Sequence, residues 1–226
     1  MKLTPRLEKI ASMVPECTCI GDVGTDHAYI PAALIERGIV TKAIASDVVD
    51  GPVLNAQNTI ARYGFANHVE VRKGSGLAPY AMGEIEGVII AGMGGPLIAE
   101  IIEADYALAQ SLNFLILQPM IGQEVLRAYL ESHHFKIVEE HIEVEGEKFY
   151  EVMKVTAGEM MIDEPFYYEI GPLLVHQTDE KTKGFMGHKL KKYEKIYRSV
   201  KENASQDQGD YLLEIERKIS LLKELI

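Results

Sequence analysis

From Cys17 to Val144 short apolar runs alternate with helix-patterned segments, and that alternation leaves few architectures open. CTCIGDV (17–23) precedes a helical pattern from Pro31 to Arg37, and KAIASDV (42–48) one from Pro52 to Arg62. VEVRKG (69–74) adds a strand; GVIIAGM (87–93) precedes a helix from Pro96 to Ala104, and FLILQPM (114–120) one from Glu124 to Ser132. Strands that are nearly continuous apolar runs are buried on both faces, so the pattern predicts a parallel sheet covered by helices. FKIVEEHIEV (135–144) and KFYEVMKVTA (148–157), joined across Glu145-Gly146-Glu147, predict an antiparallel hairpin at the sheet edge. The expected fold is α/β: a doubly wound sheet that ends in an antiparallel pair.

Thr4 to Val14 reads as a short amphipathic helix with Thr4 as N-cap and Pro5 in the first helical position, where a missing N–H does no harm. Beyond Glu164 no strand-like run recurs. Met186, Leu190, Tyr193, Tyr197 and Val200 are spaced 4, 3, 4, 3, and Leu212, Ile215, Ile219, Leu222 and Ile226 are spaced 3, 4, 3, 4. These are seam patterns of coiled-coil helices. The polar segment from Asn203 to Gly209 between them predicts an antiparallel helical hairpin. Residues 1–164 are therefore expected to form a Rossmann-like domain and residues 165–226 a helical one. The 226 residues are 47% hydrophobic and 25% charged, ordinary for a globular protein. Neither a signal-peptide core nor a run of ~20 apolar residues is present, so the chain is expected to be cytoplasmic. Cys17 and Cys19 alternate within an apolar run, which predicts two small buried side chains on one strand face rather than a disulfide or zinc site.

In a sheet of this kind ligands bind beyond the carboxyl ends of the strands, where strand order reverses. The first such loop reads Gly21-Asp22-Val23-Gly24-Thr25-Asp26-His27-Ala28-Tyr29. It lacks the G-x-G-x-x-G spacing of dinucleotide loops; acid, any residue, Gly, then polar residues is the loop of S-adenosylmethionine enzymes. The difference is chemical. A pyrophosphate seeks bare N–H groups, whereas the amino-acid end of S-adenosylmethionine carries an ammonium that prefers carboxylates. Asp47, 23 residues after Gly24, is placed to accept two ribose hydroxyls, a feature NAD and S-adenosylmethionine share. Ser75, in Lys73-Gly74-Ser75-Gly76-Leu77, stands where many S-adenosylmethionine enzymes have an Asp or Asn against adenine. Ala91-Gly92-Met93-Gly94-Gly95-Pro96 ends the fourth strand with three residues lacking a β-carbon, which lets a ligand approach the backbone. The Asn/Asp-Pro-Pro-aromatic motif common in amino-methylating enzymes is missing there, so the target is not a simple exocyclic amine. Gln118-Pro119-Met120 closes the same rim. His133 and His134, at a helix end, read as surface residues. Asp22, Asp26 and His27 have metal-ligating chemistry, but nothing elsewhere supplies a second cluster and no metal is expected.

A doubly wound sheet with an antiparallel terminal pair resembles class I methyltransferases. More specifically, RLEKIASMV (6–14), DVGTDHAYIP (22–31), AGMGG (91–95), LILQP (115–119), GEKFYEV (146–152) and the helical C-terminal hairpin resemble the bacterial TrmK family. These are tRNA methyltransferases that modify N1 of adenine 22 with S-adenosyl-L-methionine, and the resemblance covers essentially the whole chain. It implies Gly21, Asp22 and Gly24 under the methionine portion of the cofactor, and Asp47 with Val48 at the ribose. It further implies Gly74, Ser75, Gly76 and Leu77 beside adenine, and Ala91, Gly92, Met93, Gly94 and Gly95 along the transfer site. Asp26, His27 and Tyr29 project toward the same space and are assigned, with Asp22, to catalysis and base positioning. Tyr29 would offer a stacking face worth ~1–3 kcal/mol per base. Two other readings stay open on the residues alone: a small-molecule methyltransferase, and a non-catalytic nucleotide-binding module.

The formal charge of −11 argues against a nucleic-acid partner only as an average. Residues 178–226 carry 11 Lys+Arg and 9 Asp+Glu, whereas residues 1–177 carry 12 and 25. Between Lys181 and Lys201 eight basic residues face one acid, Glu194. Lys191, Lys195 and Arg198 follow i, i+4, i+7 spacing off the apolar seam. With tRNA implied, Lys189, Lys191, Lys192, Lys195 and Arg198 are expected to contact phosphates. The chain is read as a monomer, with self-association through the hairpin seams left open.

Overall fold

A computed structural model describes residues 1–202 and 209–226. Strands β1 (Cys17–Val23), β2 (Val40–Asp47), β3 (Val69–Lys73), β4 (Gly87–Gly94) and β5 (Phe114–Ile121) pair in parallel. β6 (Phe135–Glu145) and β7 (Lys148–Ala157) form the expected hairpin, and β7 inserts antiparallel beside β5. The sheet order is β3-β2-β1-β4-β5-β7-β6. The chain builds outward from β1 to β3 and then restarts on the other side with β4, so β1 and β4 are neighbours whose crossovers leave in opposite directions. That reversal opens a crevice at their carboxyl ends.

The helices are α1 (Pro5–Ser12), α2 (Tyr29–Glu36), α3 (Asp50–Tyr63), α4 (Gly95–Ala104), α5 (Tyr106–Ser111) and α6 (Gln123–Ser132). Thr4 caps α1 by accepting from the Leu7 amide at 3.5 Å, with Pro5 at the start as the sequence requires. Ile20, Ile89, Phe114 and Ile116 share one buried core with Ile10, Leu34 and Ile60 of the first three helices. Their strand neighbours Val88, Ile90, Leu115 and Leu117 point the other way by the period of two, and Ile98, Ile102, Leu126 and Leu130 of α4 and α6 are buried as well. The doubly wound α/β expectation is therefore met.

Three local expectations are corrected. The second helix starts at Tyr29 rather than Pro31, because Ala28 turns left-handed (φ 52°) and ends the preceding loop earlier. Helix α5 was not anticipated; six residues are too few to show a 3.6 period. Cys19 is buried, but Cys17, at the strand start, is only half-buried.

The chain divides into two compact units, Met1–Ile162 and Asp163–Ile226. The second contains α7 (Tyr167–Ile170), a 3-10 turn at Leu174–His176, α8 (Glu180–Glu202) and α9 (Gly209–Glu224). Asp179 caps α8, accepting from the Thr182 hydroxyl at 2.6 Å and its amide at 3.1 Å. Tyr197 hydrogen-bonds Glu216, and Lys223 lies 3.8 Å from Glu194, so the two helices run antiparallel. The seam residues Met186, Tyr193, Ile215 and Leu222 are buried, whereas Ile226 lies past the end of α9 and is exposed. Phe166, Ile170 and Leu174 are buried too, and Phe166 meets Tyr193 edge-on at 5.7 Å, so the hairpin carries a small core of its own. The turn expected from Asn203 lies outside the described residues up to position 208.

Candidate active site

At the end of β1 the backbone folds back on β2, with the amides of Gly24 and Thr25 both donating to the Ser46 carbonyl at 2.8 and 3.0 Å. Gly24 has φ +72°, a left-handed conformation that favours glycine, and a Cβ there would stand 2.1 Å from the Met93 methyl and displace that flexible side chain. The Asp22 side chain is buried at this turn. Burial raises its pKa from 3.8 to about 7, against the opposing pull of a hydrogen bond from Thr25. The Thr25 hydroxyl in turn accepts from the Ala28 amide at 3.0 Å and thereby holds Ala28 in its left-handed conformation. Among the described residues no cation lies within ion-pair distance of Asp22.

Beyond this turn Asp26 lies 3.3 Å from His27 Nε2 and accepts from Asn55 of α3 at 3.5 Å. The His27 and Tyr29 rings stack, with centroids 5.0 Å apart and planes 15° from parallel. Together with Arg6, Leu7, Ala91 and Gly92, the loop from Asp22 to Ile30 lines a cavity of about 350 Å³. Gly92 has φ +79°, at the point where the register of β4 against β5 shifts.

Of the residues expected from the sequence, the structure therefore gathers Asp22, Gly24, Asp26, His27, Tyr29, Ala91 and Gly92 around one space. Gly21 lies outside that lining; a Cβ there would come within 2.9 Å of the buried Tyr80 ring. Asp47 stands at the end of β2, where its carboxylate accepts from the Val49 amide at 2.8 Å and Val48 is exposed. The Gly74 amide donates to the Asp47 carbonyl at 3.0 Å, which joins the Gly74–Leu77 turn to the same edge. In that turn Ser75 is exposed and Leu77 is fully buried. Met93 reaches back to Gly24, while Gly94 faces the Ile121 side chain and Gly95 packs against the Ile121–Gly122 backbone.

Comparison with known proteins bears on what this geometry is for. Residues 3–153 match the methyltransferase domain family. The tRNA (adenine(22)-N(1))-methyltransferase of Bacillus subtilis (strain 168) is 32% identical over 236 aligned positions, which span 100% of this chain and 98% of that protein. The chain belongs to the tRNA (adenine(22)-N(1))-methyltransferase family. The crystal structure of the B. subtilis m1A22 tRNA methyltransferase TrmK superposes with a TM-score of 0.87 at 32% identity, covering 100% of this chain and 99% of that one. Streptococcus pneumoniae Sp1610 in complex with S-adenosyl-L-methionine superposes at 0.84 with 33% identity and 99% coverage of both chains.

For a methyltransferase of this family, Arg6 adds to what the sequence reading placed in the site, and it is held there by Gln118, which that reading set on the rim. Gln118 is fully buried; its Oε1 accepts from Arg6 Nη1 at 2.8 Å and its Nε2 donates to the Pro119 carbonyl at 2.8 Å. One signal for Arg6 was present: a cation in the first turn of a helix opposes the helix dipole and calls for a compensating partner. In the second unit Lys191, Lys192, Lys195 and Arg198 are exposed along α8. Lys189 instead turns inward, donating to the Glu169 carbonyl at 3.0 Å and lying 5.1 Å from the Phe185 ring centre. Among the described residues no group of three or more His, Cys, Asp or Glu is arranged to hold a metal, and no helix is long and apolar enough to cross a membrane.

Proposed function

We infer that this chain is an S-adenosyl-L-methionine-dependent methyltransferase that methylates N1 of adenine 22 in tRNA. The observation that carries the reading is the cavity between the ends of β1 and β4, lined by a buried carboxylate with no ion-pair partner among the described residues and by a stacked His27–Tyr29 pair. S-adenosyl-L-methionine supplies an electrophilic methyl group on a sulfonium. Asp22 is the counter-charge for the cofactor's ammonium, Asp47 the acceptor for its ribose hydroxyls, and the Gly74–Leu77 turn the edge beside its adenine.

The target demands little acid–base chemistry. Adenine N1 has an in-plane lone pair, free once base pairing is broken, so alignment is most of the task. Tyr29, braced by His27, presents a flat face for an extruded base. Methylation leaves the base cationic, and the Asp26 carboxylate at the rim offsets that charge and accepts a proton from N6. The exposed row Lys191, Lys192, Lys195 and Arg198 contacts phosphates of the tRNA; Lys189, already engaged, acts within the hairpin.

Incubation with labelled S-adenosylmethionine and bulk tRNA, followed by nucleoside analysis and position mapping, is expected to give 1-methyladenosine at position 22. Asp26→Asn and Tyr29→Ala are expected to lower turnover with cofactor affinity retained. Label in any other nucleoside, or none, overturns the assignment.

A further inference from the structure

The arginines of this chain differ in how their charge is met. Arg37, Arg72, Arg127 and Arg217 each lie within 2.9 Å of at least one carboxylate. Arg6 has no carboxylate within ion-pair distance of its guanidinium among the described residues, although it lines the cavity that also contains Asp22. Its orientation is nevertheless fixed. Nη1 donates to the buried Gln118 at 2.8 Å, the guanidinium carbon lies 5.5 Å from the Tyr150 ring centre, and the main-chain amide is held by Glu145 at 2.9 Å. Nη1 also stands 3.8 Å from where a Cβ on Gly92 would lie, which sets it beside the end of β4. A guanidinium has five N–H donors, and Gln118 takes one. Glu145 acts on this charge only from beyond ion-pair distance. A planar, pre-oriented cation with donors to spare, partly shielded from water and with no carboxylate in direct contact among the described residues, is suited to an oxyanion that arrives with the ligand.

We propose that Arg6 is the carboxylate-binding residue of the cofactor site, taking the α-carboxylate of S-adenosyl-L-methionine while Asp22 takes the α-ammonium. The same cavity then holds one fixed cation and one fixed anion, the complement of a zwitterionic amino-acid end. A neutral or purely cationic tail would leave Arg6 unmatched. This rests on the cofactor reading above.

Calorimetry with S-adenosylmethionine and with its decarboxylated form, which keeps the amine and lacks the carboxylate, tests it on the full chain. Arg6→Ala is expected to weaken S-adenosylmethionine binding about tenfold or more and the decarboxylated compound less than about twofold. Arg6→Met keeps an apolar stem over Tyr150, so it serves if the alanine variant folds poorly, and the same split is expected. Equal losses for both ligands would make Arg6 a wall of the cavity and overturn the proposal. Unchanged cofactor binding with a raised KM for tRNA would assign Arg6 to a nucleotide phosphate instead and overturn it equally. A wild-type chain that binds neither compound would overturn the cofactor reading itself, and this proposal with it.

Discussion

At the sheet edge Arg127 is fully buried, its Nε 2.9 Å from Glu140 and its Nη2 2.6 Å from Glu151, both carboxylates buried with it. At the end of β1, Asp22 is buried to a similar degree, yet it has the Thr25 hydroxyl for company and, among the described residues, no cation within ion-pair distance. Both sites keep charge from water, a cost of several kcal/mol per ion unless matched. The first matches it inside the protein, tying α6 to the β6–β7 hairpin. The second leaves it open, and the burial that raises its pKa to about 7 favours the protonated carboxyl over the bare charge. A closed cluster of charges fixes the fold, whereas an open one waits for a ligand.

Breaking the closed cluster should have the larger effect. Arg127→Met leaves two buried carboxylates without their cation and is expected to cost ~3–5 kcal/mol in urea unfolding at neutral pH. A loss under about 1 kcal/mol would mean that the cluster does not hold the hairpin.

Asp22→Asn should act with the opposite sign. The folded-state pKa of about 7 lies above the ordinary 3.8, so the native carboxyl is protonated where the unfolded one has ionised. Its contribution to stability is therefore full below about pH 4 and is lost as pH rises through about 7, by an upper estimate of ~4 kcal/mol. The ligand-free Asn variant should be flatter with pH across that window and more stable than wild type at about pH 8, while binding S-adenosylmethionine more weakly. Destabilisation at that pH would place Asp22 in the same class as Arg127 and dissolve the contrast.

The sequence disclosed these two sites unequally. Asp22, Gly24, Asp26, His27 and Tyr29 lie in one contiguous loop at a strand end, so the strand–helix alternation alone located them. Arg6 and Gln118 meet across 112 positions, which no local pattern encodes. The Arg127 cluster was hidden by a β-bulge. Along β6, Phe135 and Ile137 point inward and Val138 outward, but the register slips between Ile137 and Glu139, and Glu140 and Ile142 become the inward residues. Strict alternation would have put Glu140 in solvent. The fold was legible because its signal is repeated in every strand; a single bulge or a long-range contact has no such repetition.

The same distinction between met and unmet charge separates neighbours on α8. Replacing Lys191, Lys195 and Arg198 by Glu should weaken tRNA binding roughly tenfold or more and lower the slope of log K against log salt by about 2 to 3, with cofactor affinity unchanged. Lys189→Ala should leave that slope alone and lower the stability of the hairpin, since its ammonium is already engaged at Glu169. A change of slope with Lys189→Ala equal to that of any single exposed lysine would erase the distinction.

The smallest expected effect on stability concerns Ala28, which is fully buried and held at φ 52° between the buried acid and the stacked rings. For a residue with a β-carbon this conformation costs ~1–2 kcal/mol, which Ala28→Gly would relieve. Against that stand a buried methyl worth ~0.8 kcal/mol and a backbone-entropy cost of ~0.5–1 kcal/mol for glycine. The terms nearly cancel, so unfolding free energy should move by less than about 1 kcal/mol. Activity should not be so indifferent. The alanine restricts the loop to the conformation in which Thr25 bridges Asp22 and the Ala28 amide, and from which Tyr29 enters α2. Glycine there gives the loop other conformations, so kcat should fall several-fold while the melting temperature barely shifts. Unchanged kcat would show that the Thr25 bridge alone sets the loop and that the left-handed alanine is a by-product of the turn.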